Sequence, residues 1–349
     1  MTRADASPAR LVVRMPNWLG DAVMALPALA AVRAALPDTW LALAALPSIA
    51  PAFKEHTGAR PQQILVLDQP DDVGRLREGT FDAALLLTNS FRTAWTARRS
   101  GIAERWGYAA GGRGPLLTRA IGRPRGERHQ SEYYLELVRG LGMAAPAASP
   151  GVGNEATPAD RIRLTDATRE RARRLLADAG IAAGSTIVGF APGAAYGHAK
   201  RWPPDRVAQV VTRVTRERGA RCVLVGVSGD REAGRAIEST VPPDVHVVNL
   251  IGRTDLRLLM GVLEACRVFV SNDSGAMHLA AAVGVPVTAI FGPTNERATA
   301  PIGDHDVILH QVFCRPCMLR ECPIDHRCMK RIGVDEVSSA VMRRIDRYA

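Results

Sequence analysis

Apolar residues in this chain come in short runs, and turn-forming residues cut each run off. "ARLVVRM" predicts a buried strand, and "DAVMALPALAAVRAAL" behind it predicts one amphipathic helix. "WLALAAL", "ILVLD" (Ile64 to Asp68) and "FDAALLLTN" (Phe81 to Asn89) predict further strands. Apolar runs of this length, without polar alternation, suit a parallel sheet covered on both faces. The basic stretch "FRTAWTARRSGIAERWGY" follows, and then "GGRGPLLTRAIGRPRGERHQ", whose glycines and arginines predict a loop.

Small residues, prolines and glycines then dominate from Gly142 to Asp160, which reads as a domain linker. Beyond it the alternation restarts. "TIVGFAPGAA", "RCVLVGV" and "VHVVNLIG" predict strands, and "PDRVAQVVTRVTRERG" predicts a helix stopped by Gly219. "DREAGRAIEST" and "DLRLLMGVLEAC" predict helices. "RVFVSNDSGAMHLAAAVGVPVTAIFGP" reads as strand, tight turn, helix and strand, and the tail as a last amphipathic helix. The expected architecture is therefore α/β: two Rossmann-like domains, 1–155 and 156–349, facing a central cleft. The last helix, about 334–349, is expected to pack back on the first domain.

The length of 349 residues agrees with two domains, being too great for one ordinary core. Aromatic residues make up 5%, which gives little support to nucleic-acid binding by base stacking. The net charge of +10 suits an acidic partner such as a phosphate, a nucleotide, a nucleic acid or an anionic membrane face, or else marks a solvated basic surface. No segment holds the 20 or so uninterrupted apolar residues that a span needs. Arg14, Pro16, Asp21 and Pro27 break the first apolar stretch as a signal peptide too, so a cytoplasmic location is expected, with peripheral contact at the inner membrane face.

Candidate chemistry sits at strand ends. In "VFVSNDSGAMHLAAAVGVP" a strand runs into Asp273, Ser274 and Gly275, and a helix begins at once. Its free N–H groups and positive dipole end suit a phosphate, and Gly275 lets a ligand approach the backbone. Asp273 as a simple helix cap, and His278 as a core histidine, are the structural alternatives. In "FAPGAAYGHAKRWPPDRVAQV", Lys200 and Arg201 stand where a loop cation reaches a diphosphate. Neither a P-loop nor a dinucleotide-binding glycine motif is present. Asp21, directly after Gly20 in an apolar run, reads either as a helix cap or as a general base. Cys314, Cys317, Cys322 and Cys328 cluster around His326. Their spacing does not match a paired zinc ribbon, so a reduced structural loop is expected and zinc is the alternative. Cys222 and Cys266 read as core.

Together, "RMPNWLGDAVMALPAL", "APGAAYGHAKRWP", "SNDSGAMHLAAAVGVPVTAIFGPTNE" and "FCRPCMLRECPIDHRCM" resemble the bacterial ADP-heptose:lipopolysaccharide heptosyltransferases of glycosyltransferase family 9. The cysteine motif is most similar to the heptosyltransferase II branch. The resemblance runs from about Leu11 to the final helix. It implies a GT-B fold, with donor nucleotide on the second domain and acceptor on the first. It implies an inverting, metal-independent and cofactor-free transfer of heptose from ADP-L-glycero-D-manno-heptose to heptose I of the lipopolysaccharide inner core, the acceptor being Kdo-lipid A bearing heptose. No nucleic-acid partner is implied.

By the same resemblance, Asp21 is the catalytic base, and Lys200, Asp273, Ser274, Gly275 and His278 hold the donor. Ala195, Tyr196 and Thr254 fall at other donor positions by ungapped counting. The first two replace the hydroxyl residues often found in relatives, so backbone contacts are expected there. Asn17, Trp18 and Arg92 are acceptor-side candidates. Heptosyltransferase I, or another family member with a different acceptor, is the alternative within the class. A nucleotide-binding regulatory protein, or a GT-B epimerase or phosphorylase, are the alternatives outside it.

Overall fold

The structure is a computed structural model that describes residues 7–68, 70–144, 157 and 160–347. It divides into two compact units, and Leu164 begins the second.

In the first unit β1 (Arg10–Arg14) leads through α1 (Leu19–Met24) and α2 (Leu26–Ala35) to β2 (Trp40–Ala45). The short β3 (His56–Thr57), β4 (Gln63–Val66), α3 (Asp72–Glu78), β5 (Ala83–Leu86) and α4 (Phe91–Arg99) follow. The unit closes with β6 (Glu104–Tyr108), β7 (Arg119–Ile121), α5 (Gln130–Gly140) and β8 (Ile162–Arg163). Its sheet has the order β4-β2-β1-β5-β6-β7, and each neighbouring pair is parallel. β8 lies beyond the expected boundary at 155–156 but pairs antiparallel with β3, and so groups with the first unit. The expected linker, Gly142 to Asp160, falls mostly outside the described residues.

The second unit repeats the plan. It runs α6 (Asp166–Asp178), β9 (Ile187–Ala191), α7 (Pro204–Arg218), β10 (Arg221–Leu224), α8 (Arg231–Thr240), β11 (Val247–Asn249) and α9 (Leu256–Glu264). After these come β12 (Val268–Asn272), α10 (Gly275–Ala282), β13 (Val287–Phe291), α11 (Glu296–Thr299), β14 (His305–Leu309), α12 (Arg327–Lys330) and α13 (Val334–Arg347). The sheet order is β11-β10-β9-β12-β13-β14, again all parallel. In both sheets the order reverses beside the first strand, the place where ligands bind in doubly wound folds.

Local chemistry explains the main elements. Pro204 opens α7 at its first position, where a missing N–H costs nothing, and Gly219 ends it at φ 62°, a left-handed cap that glycine adopts without strain. β9, β12 and β13 are buried along their whole length, hence their unbroken apolar sequence. α13 packs on α7 within the second unit: Val337, Val341 and Ile345 join Val207, Val211, Val214 and Trp202 in one core.

Three further sequence expectations are corrected. The single helix expected from Asp21 to Leu36 is two helices, interrupted at Ala25. Pro27 lacks the N–H that would continue the ladder. The expected Gly/Arg loop contains β7, a three-residue edge strand that is largely exposed and therefore has no apolar signature. Asp273 does not cap α10, whose N-cap residue is Ser274.

Candidate functional site

The loop after β9 and the loop after β12 meet at the reversal point of the second sheet. Asn272, the last residue of β12, is buried, and its side chain fastens the two loops together. Its Oδ1 accepts from the Trp202 N–H at 3.1 Å, and its Nδ2 donates to the Pro192 carbonyl at 2.8 Å. A buried amide with its groups satisfied fixes a geometry, since breaking one such bond costs about 1–3 kcal/mol.

With the loops fixed, Lys200 Nζ lies 2.5 Å from Asp273 Oδ2. Both side chains are largely buried, at 12% and 6% exposure. Thr294, from the loop after β13, donates its hydroxyl to the same carboxylate oxygen at 2.6 Å. Beside them α10 begins at Gly275 with no side chain capping its first N–H groups. Ser274 Oγ faces Ser271 Oγ at 3.1 Å instead. Uncapped N–H groups next to a lysine form an anion-binding corner. His278, one turn further on, is buried.

The cysteine loop braces this corner. The Arg320 carbonyl accepts the Ala199 N–H at 2.9 Å, and His326 Nε2 bonds the Ala199 carbonyl at 2.8 Å. The Tyr196 hydroxyl donates to the Met318 carbonyl at 2.9 Å, and Lys200 Nζ and the Arg320 guanidinium lie 4.9 and 5.1 Å from its ring. Arg315 donates to the carbonyls of Gly292 and Thr294. Gly197 must lack a side chain here, because a Cβ would stand 2.3 Å from the Arg320 carbonyl oxygen. All six cysteines are free thiols. Burial, and then the neighbouring thiols, raise the Cys328 pKa. Among the described residues no group of three or more histidines, cysteines and carboxylates is arranged to hold a metal ion.

In the first unit, the chain leaves β1 through Met15–Trp18 and enters α1. Trp18 is the N-cap position, and Asp21 is the third helical residue, its carbonyl already accepting the Ala25 N–H. Asp21 is thus not the N-cap residue. Arg14 holds the connecting turn, donating to the Met15 carbonyl and, at 2.9 Å, to Asn17 Oδ1. Trp18 is exposed. Burial, and then the Asp21 carboxylate, push the Tyr134 phenol of α5 far above its ordinary pKa, so it stays protonated beside Asp21.

Comparison with known proteins adds the family. A family model described as "Glycosyltransferase family 9 (heptosyltransferase)" matches residues 73–327. The chain belongs to glycosyltransferase family 9. It is therefore a glycosyltransferase. The lipooligosaccharide heptosyltransferase 2 of Haemophilus ducreyi is 27% identical over 325 residues, covering 87% of this chain and 89% of the relative. The lipopolysaccharide heptosyltransferase 2 of Salmonella typhimurium is 28% identical, covering 84% and 85%. The solved E. coli ADP-heptose lps heptosyltransferase II superposes with a TM-score of 0.79 at 24% identity, covering 97% of this chain and 99% of that one. The fold is GT-B, as the sequence led us to expect.

Within this family 9 enzyme, the residues singled out from sequence fall into three sets. Lys200, Asp273, Ser274, Gly275 and His278 come together at the reversal point of the second sheet, with Tyr196 at their edge. Ala195 is exposed in the same loop, and Thr254 is half-buried just ahead of Asp255, the N-cap of α9. Asp21, Asn17 and Trp18 share the turn after β1, and Arg92 is exposed at the start of α4 after β5. Sequence reading missed Asn272, Thr294 and Tyr134. Asn272 and Thr294 lie in strand–turn stretches that had been quoted as motifs, so a signal was present for them. Tyr134 had none, because only the packing of α5 on α1 brings it to Asp21.

Proposed function

We propose that the enzyme transfers L-glycero-D-manno-heptose, with inversion and without a metal, from ADP-L-glycero-D-manno-heptose to heptose I of the lipopolysaccharide inner core, at the cytoplasmic face of the inner membrane. The observation that carries this reading is the Lys200–Asp273–Thr294 corner at the uncapped start of α10. A lysine and helix N–H groups offset the negative charge that develops on ADP as it leaves, which supports a mechanism with no metal. The names of the relatives point to heptose as the sugar and to lipopolysaccharide or lipooligosaccharide as the acceptor class, and the heptosyltransferase 2 matches span most of the chain. No helix among the described residues is long and apolar enough to cross a membrane.

The reaction forms a bond between an acceptor hydroxyl oxygen and the anomeric carbon of the heptose. The bond from that carbon to the β-phosphate oxygen breaks, with its electrons leaving on ADP. Asp21 takes the hydroxyl proton as the oxygen attacks. Tyr134, kept protonated, gives Asp21 a neutral neighbour and leaves it the only charged acid of that pair. Lys200 and the start of α10 hold the diphosphate, and Asp273 positions Lys200. Isothermal titration with ADP, followed by an ADP-heptose transfer assay, tests the reading. Failure to bind ADP would overturn it.

A further inference from the structure

Helix α4 turns its large residues outward. At the helical period, Phe91, Arg92, Trp95, Arg98 and Arg99 fall within an arc of about 120°. All five are exposed, while the small residues Ala94 and Ala97 take the buried side. An ordinary surface helix does the reverse and points its bulky apolar side chains at the core. Phe91 and Trp95 are 50% and 44% exposed, and their rings stack with centroids 6.3 Å apart. The two rings form one continuous apolar surface.

The charge on α4 itself has one sign, three arginines and no carboxylate, while the neighbouring α3 and β6 also carry Asp72, Glu78 and Glu104. Further along the first unit, ion pairs join Arg128 to Glu136 and Arg139 to Glu132. Among the described residues Arg92, Arg98 and Arg99 make none. In the following strand, exposed Glu104 is engaged by Trp106 Nε1 and the Thr118 hydroxyl. Burial first, and Arg98 second, pull the Arg105 pKa below the ordinary value, with Glu104 acting the other way.

We propose that this face of α4 docks on an anionic phospholipid bilayer, with Phe91 and Trp95 entering the headgroup–acyl boundary and Arg92, Arg98 and Arg99 meeting lipid phosphates. Aromatic rings and fixed cations are the two signals that stable peripheral binding requires together. Tryptophan favours the interfacial zone, and the planar guanidinium matches phosphate oxygens in pairs. The same face suits a nucleic acid poorly, because rings stacked on one another leave little open face for a base. The inference deepens the proposed function, whose acceptor is a lipid, and rests on that reading only for the choice of bilayer.

Vesicle co-sedimentation tests it with the full-length protein and no sugar donor, so a failure of heptose transfer leaves the result untouched. Wild-type protein is expected to sediment with phosphatidylglycerol vesicles at low salt, to release as salt rises, and to bind pure phosphatidylcholine poorly. Phe91→Ser/Trp95→Ser and Arg98→Glu/Arg99→Glu should each lower the partition coefficient about tenfold or more. Unchanged far-ultraviolet circular dichroism and melting temperature serve as the fold control. Equal sedimentation with both lipids, or double variants that bind as wild type does, would overturn the proposal. So would cross-linking of a Trp95→Cys variant between copies of a protein that ignores vesicles, which would make the face a homotypic contact.

Discussion

Lys200 Nζ stands 2.5 Å from Asp273 Oδ2, joining the loops after β9 and β12 where the strand order of the second sheet reverses. This pair sets how the donor site can be probed. Removing Lys200 leaves a buried carboxylate with the Thr294 hydroxyl as its remaining side-chain donor, and breaking a buried pair typically costs about 3–5 kcal/mol. Lys200→Ala is therefore expected to lower stability as well as donor affinity.

Lys200→Gln separates the two effects, since its amide still donates to Asp273 while the charge is gone. A charge-assisted contact to a diphosphate contributes roughly 1.5–3 kcal/mol, so ADP affinity should fall about tenfold to a hundredfold with little change in melting temperature. Calorimetry with ADP checks this. An unchanged dissociation constant would remove Lys200 from the donor site.

Gly197→Ala tests the brace between the cysteine loop and the donor loop. The new Cβ meets a backbone oxygen, Arg320 O at 2.3 Å, so no side chain can simply swing away. The strain should cost roughly 1–3 kcal/mol, visible as a lower melting temperature, and should weaken ADP binding. A variant as stable as wild type, with full ADP affinity, would show that the two loops are not coupled.

The thiols should divide into two classes. Burial pushes both Cys222 and Cys266 up to about 12, so at pH 8 they remain protonated and shielded. Native labelling should modify Cys314, Cys317 and Cys322, slow at Cys328, and reach Cys222 and Cys266 only after denaturation. Folded values lie above the ordinary 9.0, so stability held below about pH 9 is lost as pH rises further. Replacing Cys314 and Cys317 by serine should lower melting temperature more than it lowers turnover. Near-stoichiometric zinc in protein purified without chelator would instead make the loop a metal site.

The β/α alternation was legible because fully buried parallel strands leave unbroken apolar runs, and the turns after them need glycine, serine or aspartate. The pairing of the loops that carry Lys200 and Asp273 was legible for the same reason, since both residues follow such strands. α6 was missed: its buried residues Thr168, Ala172 and Leu176 form a thin stripe among arginines and carboxylates. α5, with its half-polar sequence, was overlooked in the same way, and with it Tyr134. The brace on the donor loop depends on contacts between residues more than a hundred positions apart, such as Tyr196 with Met318, and no local pattern encodes them.

Asp21 separates a structural carboxylate from a catalytic one. As the third residue of α1, its charge adds about 0.3–1 kcal/mol with the helix dipole, and Asn would lose little more than that. As the general base it cannot be replaced by Asn. Asp21→Asn is expected to fold and to bind ADP normally, with turnover down roughly 10²–10⁴-fold. Turnover near wild type would leave the carboxylate a purely structural role.

Transfer itself is measured most directly by incubating the enzyme, free of added metal, with ADP-L-glycero-D-manno-heptose and two defined acceptors, Kdo-lipid A with and without heptose I. Mass spectrometry of the products should show one heptose added to the acceptor that already carries heptose I and none added to the other, and NMR of the product should show the anomeric configuration inverted. Transfer to the heptose-free acceptor, or no transfer to either, would contradict the proposed function.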